Sequence, residues 1–360
     1  MSGVAPESWR SAAHWALLAG GSAGLSALFG IAHVPAALML GPIVCGALLA
    51  MRGSQIRVAR PPYLWGQAIA GTLIALNLDP AIVGRTVEIW PVVLAFVLLT
   101  LALACAVGLV AARLTGLDRE VTVWGFLPGM AGTMIALAHE RGIDSRMVAF
   151  IQILRLLMVI ATMVVVGAAL VGPPVPHDAG APLPDALSTS VAMLLGLLGI
   201  CVSRFAPIVP AGASLVPLVA LVAGSLLTIN GINVAPPYLL VAVAYFFLGA
   251  QVGLRFTPDM IRTGARAMPW LPVAGALLLV LCAGSGALLS VVAGVDLMSA
   301  MLATVPGSVD SIALIALSTG SDISFIMTLQ TVRLFAVVLL GPPMARGMLA
   351  LLRRLRPPEG

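Results

Sequence analysis

Two arginines stand where a membrane would make them most costly. Arg155 lies deep in an apolar stretch that opens near Arg146, and Arg333 lies at the matching depth of the last apolar stretch. A guanidinium near the middle of a spanning helix costs at least about 2.5 kcal/mol on insertion scales, so each must face a partner or a wet cavity. Gln152 and Gln330 precede the two arginines by three positions, which puts each Gln-Arg pair on one helical face. A planar five-donor fork beside an amide suits a carboxylate or another oxyanion. The architectural alternative is that each arginine caps the carbonyls of a neighbouring broken segment, or pairs with Asp310 or Glu140. Residue types alone leave both open.

Two Pro-Gly pairs interrupt apolar segments nearby, Pro128-Gly129 within 121–138 and Pro306-Gly307 within 297–317. Such a break frees backbone N–H and C=O groups, which are tolerated at depth only where protein or a water-filled cavity satisfies them. In transporters built from inverted repeats, the ends of broken helices meet near the midplane, N-termini facing anions and free carbonyls facing cations. Thr133, Ser308 and Ser311 place hydroxyls beside the two breaks and complete a candidate solute site with Pro128, Gly129, Gln152, Arg155, Pro306, Gly307, Gln330 and Arg333. Asp310 has no acidic counterpart in the first copy, where Gly132 stands. A lone carboxyl there can exchange a proton, help hold Na⁺, or neutralise Arg333. Asp144 and Asp322 open the two arginine-bearing stretches and read as helix N-caps.

Other chemistries find little support. All nineteen cations are arginine, so a lysine Schiff base or P-loop lysine is excluded. Cys45, Cys105, Cys201 and Cys282 are far apart, and His14, His33, His139 and His177 lack metal-ligand spacing. The expectation is a protein with no cofactor and no metal, and not an enzyme.

The positioning elements follow from composition: 60% of the 360 residues are apolar and 9% charged, a balance that belongs in lipid. The runs 11–51 and 205–254 contain no Asp, Glu or Arg and are too long for one crossing. Spans are expected at 14–31, 34–51, 62–78, 89–112, 146–171, 188–204, 207–228, 237–254, 268–293 and 323–345. If the two broken segments also crossed, the arginine-rich loops at 52–60 and 255–266 would fall on opposite faces, against the positive-inside rule. If both dip in and return, the basic loops share the cytoplasmic side and only Arg85 is left outside. The expected topology is therefore ten spans, two re-entrant segments and both termini cytoplasmic in a bacterial inner membrane.

Self-comparison divides the chain in two. Val34-Pro35-Ala36 recurs as Val209-Pro210-Ala211, 175 positions on, and Pro61-Pro62-Tyr63-Leu64 recurs as Pro236-Pro237-Tyr238-Leu239 at the same offset. Further along the offset is 178, matching Pro128-Gly129 to Pro306-Gly307, Gly142 to Gly320, Asp144 to Asp322, Gln152 to Gln330 and Arg155 to Arg333. Five spans per half is an odd number, which requires inverted halves. The expected fold is an all-α polytopic membrane protein of two inverted repeats, each of five transmembrane helices and a re-entrant broken segment: residues 1–172, a Pro-rich outer linker at 173–187, and residues 188–360 with a short basic tail.

The run Leu127-Pro128-Gly129-Met130-Ala131-Gly132-Thr133, followed by Gly142-Ile143-Asp144 and Gln152-Ile153-Leu154-Arg155, resembles the bacterial membrane AbrB family. Val305-Pro306-Gly307 through Asp322 to Gln330-Thr331-Val332-Arg333 looks like the second copy of the same module, a duplication known in that family. The resemblance implies a role in regulating gene expression; members carry labels such as ammonia monooxygenase or AbrB-type transcriptional regulator. The residues support neither label directly, since there is no copper-ligand cluster and the basic tail is too short for a DNA-binding domain. Five spans and a re-entrant segment per inverted half is similar to citrate and glutamate symporters, an analogy of fold alone. The first reading is a secondary transporter of a small anionic solute working by alternating access, with Asp310 coupling H⁺ or Na⁺. The second is a membrane-embedded regulator acting through a cytoplasmic partner. Partners are the bilayer and the solute, with a homodimer open and no nucleic acid.

Overall fold

Gly and Pro divide this chain into helices, and the helices group across the boundary between its sequence halves. The structure is a computed structural model and describes residues 7–32, 34, 36–76, 84, 88–128, 138, 142–170, 190–191, 193–194, 197–198, 201, 220, 222–227, 236–258, 261–262, 267–307 and 309–354. In chain order the helices are α1 (Glu7–Ile31), α2 (Ala37–Met51), α3 (Arg60–Leu76), α4 (Trp90–Thr115), α5 (Arg119–Phe126) and α6 (Ser145–Leu170). There follow α7 (Tyr238–Gly253), α8 (Leu271–Ala293), α9 (Leu297–Thr304), α10 (Val309–Thr319) and α11 (Ile323–Arg354). No strand occurs among the described residues. Among the described residues four helices are long and apolar enough to cross a membrane: Ser11–Ile31 of α1, and α4, α6 and α8; α2 and α7 are apolar but shorter. This is a helical membrane protein. The expected spans at 89–112, 146–171 and 268–293 coincide with α4, α6 and α8 to within a few residues, while those at 188–204 and 207–228 fall for the most part outside the described residues.

Two compact units emerge. The first comprises Met1–Leu78, Gly167–Asp259 and Ala313–Gly320; the second comprises Asp79–Val166, Met260–Ile312 and Ser321–Gly360. Each draws on both halves of the sequence.

In the first unit α2 packs against α1 and α7, and α7 also packs against α3. Lipid gives two apolar helices little reason to associate, so close backbone approach through small residues has to supply the attraction. Gly249 and Gly253 do this on α7: a Cβ at Gly253 would collide with the Ile43 carbonyl oxygen and sit 2.9 Å from the Ala47 nitrogen. The end of α7 is closed by Arg57, whose Nη1 donates to the Leu254 carbonyl at 2.7 Å, a cation at the negative end of a helix.

The second unit holds α4, α5, α8, α9 and α11 and most of α6. Its construction repeats at positions 178 apart. Left-handed Gly116 (φ 69°) and Gly294 (φ 65°) stop α4 and α8. Asp118 then caps α5, accepting from the Glu120 N–H at 2.6 Å, and Asp296 caps α9, accepting from the Ser299 N–H at 2.8 Å. Both capped helices have only eight residues and end at the Leu-Pro-Gly and Val-Pro-Gly breaks. Gly142 and Gly320 (φ 70° and 66°) precede Asp144 and Asp322, which are N-caps as their sequence positions suggest. Asp144 Oδ1 accepts from the Met147 N–H at 3.2 Å and Asp322 Oδ1 from the Phe325 N–H at 3.0 Å. The Asp322 N–H also donates to the buried Ser299 hydroxyl at 2.7 Å, tying the start of α11 to the start of α9. Asp322→Ala is expected to lower stability by about 1 kcal/mol, the usual worth of an N-cap, read as a lower midpoint of thermal unfolding in detergent.

Candidate functional site

The last turn of any helix leaves carbonyls without an intrahelical donor, and in lipid no water replaces it. In α5 and α9 these orphan carbonyls fall at the Pro breaks, and the Gln-Arg pairs of α6 and α11 supply the donors. Gln152 Nε2 donates to the carbonyls of Trp124 (3.0 Å) and Leu127 (3.1 Å). Arg155 Nη1 donates to those of Phe126 and Leu127, both at 2.9 Å, and Arg155 Nη2 to Gln152 Oε1 at 2.9 Å. The second break is wired in a similar way, though not position for position. Gln330 Nε2 donates to the Leu302 carbonyl at 2.8 Å, Arg333 Nη1 to Val305 at 2.7 Å and Nη2 to Gly307 at 3.2 Å, and Arg333 Nη2 also donates to Gln330 Oε1. Each glutamine thus turns its amide N–H to the backbone and its oxygen to the guanidinium. The three-residue spacing read from sequence is what lets the pair act as one clamp.

All four side chains are buried, with Arg155 6% and Arg333 5% exposed. The two guanidiniums lie within electrostatic range of each other and of the Cys282 thiol. Every acceptor given to them among the described residues is neutral, a carbonyl or an amide oxygen, and Arg155 Nε has none. Of the two roles left open by sequence, the capping of the broken segments is the one these contacts display.

Pro128, Pro306 and Ser311 are buried beside these groups in sequence, while Gly307 offers its carbonyl to Arg333 and is approached from α6 by Val159, to which a Cβ at 307 would come within 3.1 Å. Gly129, Thr133 and Ser308 lie outside the described residues, as does Glu140. Asp310 lies in the first turn of α10; its side chain is likewise outside the description. Sequence reasoning missed the glycines that seat the half-helices. A Cβ at Gly108 of α4 would stand 2.7 Å from Val123 Cα of α5, and a Cβ at Gly286 of α8 would stand 2.8 Å from Met301 Cα of α9. Their shared offset of 178 was the available signal. Among the described residues no group of three His, Cys, Asp or Glu side chains could hold a metal ion.

Comparison with known proteins agrees with the motif resemblance. The family described as "Transition state regulatory protein AbrB" matches residues 4–348. The chain is 36% identical over 348 residues to an Escherichia coli K12 protein named "Putative regulator AbrB", covering 92% of this chain and 95% of that one. It is 24% identical over 266 residues to the Bacillus subtilis 168 protein named "Uncharacterized protein YhjN", covering 69% and 68%. No solved structure matches. A match over nearly the whole chain, through both clamps and both breaks, makes this protein a member of the AbrB family.

Proposed function

We propose that the protein is a secondary transporter of a small anionic solute, not an enzyme, with its site at the two clamped breaks. The observation that carries this is a pair of buried guanidiniums, within each other's field and bonded, among the described residues, to neutral acceptors. A helix C-terminus carries roughly half a negative charge, so the ends of α5 and α9 together offset about one of the two positive charges. Among the described residues about one positive charge is left, which suits a monoanion such as a carboxylate. On this reading the halves are inverted repeats of five spans each, both termini are cytoplasmic in the bacterial inner membrane, and alternating access moves one part of the protein against another. The common wiring of the two breaks supports the repeat.

The test is a thermal-shift series on purified protein with monocarboxylates, dicarboxylates and inorganic oxyanions, followed by counterflow of any stabilising anion in proteoliposomes. A monocarboxylate at a hundred times its dissociation constant is expected to add about 2.7 kcal/mol to stability and to exchange across the bilayer. No stabilising anion and no counterflow would remove the transport reading.

Two observations favour a second reading, a membrane-embedded regulator of gene expression. A relative covering most of the chain is named as a regulator. Helix α11 also has 32 residues, about 48 Å at 1.5 Å per residue, against about 30 Å of hydrocarbon, and its end carries Arg346, Arg353 and Arg354. Such an extension can dock a cytoplasmic partner. Stoichiometric co-purification of a cytosolic protein, without counterflow, would favour it.

A further inference from the structure

The carbonyls freed at a broken membrane helix are the groups with which secondary transporters coordinate Na⁺. Here the arginines already engage several of those oxygens among the described residues. At the first break the Leu127 carbonyl accepts from both Arg155 and Gln152; at the second the Val305 and Gly307 carbonyls accept from Arg333. A metal ion placed there would have to displace a guanidinium that is charged at neutral pH.

We propose that Arg155 and Arg333 are tethered cations occupying the two positions where these broken helices would otherwise coordinate a mobile metal cation, so that neither break binds Na⁺. Three observations carry this. Both guanidiniums are more than nine-tenths buried, so they belong to the packed interior and not to a solvated rim. Both meet the C-terminal, negative end of an eight-residue helix, the end to which a cation is drawn. And both are oriented by a glutamine oxygen three residues earlier, which holds the fork at the carbonyls. A guanidinium is also more weakly hydrated than a compact cation and loses less on entering such a place. The assignment stands on the structural contacts alone. Its consequence rests on the transport reading: the positive charge that accompanies an anion is resident in the protein, and H⁺ rather than Na⁺ is the ion left for Asp310.

The experiment uses the full-length protein in detergent and reads thermal unfolding, with no solute present. Wild type is expected to have the same midpoint in NaCl as in choline chloride at equal concentration. Arg155→Ala and Arg333→Ala are expected to lower it by about 10 °C, the shift that corresponds to loss of a buried charged group. Millimolar guanidinium or methylguanidinium should then raise the midpoint of each alanine variant in a saturable way, and should not raise that of wild type. Arg155→Lys and Arg333→Lys, which keep a cation, should unfold at least 5 °C above the alanine variants or fold where those do not, since a cation is what the site requires. Saturable stabilisation of wild type by Na⁺ would overturn the proposal. So would folded alanine variants indifferent to guanidinium, or lysine variants no better than alanine. Because no arm measures uptake, these outcomes are separate from success or failure of the anion series above.

Discussion

Arg333→Leu is expected to lower stability by about 3–5 kcal/mol, the range for removing one member of a buried charged network while its partners remain. The Val305 and Gly307 carbonyls and Gln330 Oε1 would each lose a donor, at a depth where water does not replace it. Leucine fills part of the volume but offers nothing to the oxygens. Gln330→Leu removes the donor to Leu302 and the orienting acceptor but keeps the charge, and should cost less, about 1–3 kcal/mol. Arg155→Leu should match Arg333→Leu, because its contacts at the first break are equivalent. Denaturation of the purified variants in mixed micelles reads all three. Equal stability of Arg333→Leu and wild type would show that the clamp is ornamental.

Gly286→Leu is the second substitution with a large expected effect. The first atom of any side chain at 286 meets Met301 Cα at 2.8 Å and the Ala300 carbonyl oxygen at 3.1 Å, so it is backbone that must move. Overpacking of this kind costs about 3 kcal/mol. The displacement falls on α9, whose far end carries the carbonyls held by Arg333, so anion-induced thermal stabilisation should weaken more than tenfold in apparent affinity if transport uses that break. Gly284→Leu, two residues away where a Cβ meets nothing within 4 Å, is the control and should lie within about 0.5 kcal/mol of wild type. Gly108→Leu tests the same idea on α5.

Much of this site was legible in the sequence, for reasons that can be stated. Pro128-Gly129 and Pro306-Gly307 stop helices wherever they stand, so the ends of α5 and α9 could be placed from composition. The Gln-Arg spacing fixes a shared helical face regardless of tertiary context, and both pairs do act together. The acceptor of each arginine was not legible. A fork that fits a carboxylate fits two carbonyls equally well, and which of them it meets depends on how α6 lies against α5 and α11 against α9. Gly108 and Gly286 escaped notice because glycine is frequent in this chain and only the partner backbone reveals which one is needed for close approach. Nor did the matched motifs reveal how helices would group, since packing follows complementary faces that motif spacing does not record.

That grouping bears on how the protein is made. Each compact unit contains segments from before and after residues 173–187, the second needing α4, α5 and most of α6 together with α8, α9 and α11. During synthesis the early helices must therefore wait in the membrane, their clamps and breaks without the neighbours that complete the unit, until the ribosome has delivered nearly the entire chain. A fragment ending at the linker would hold no finished unit, and quality-control proteases should degrade it, whereas the two fragments produced together could still assemble.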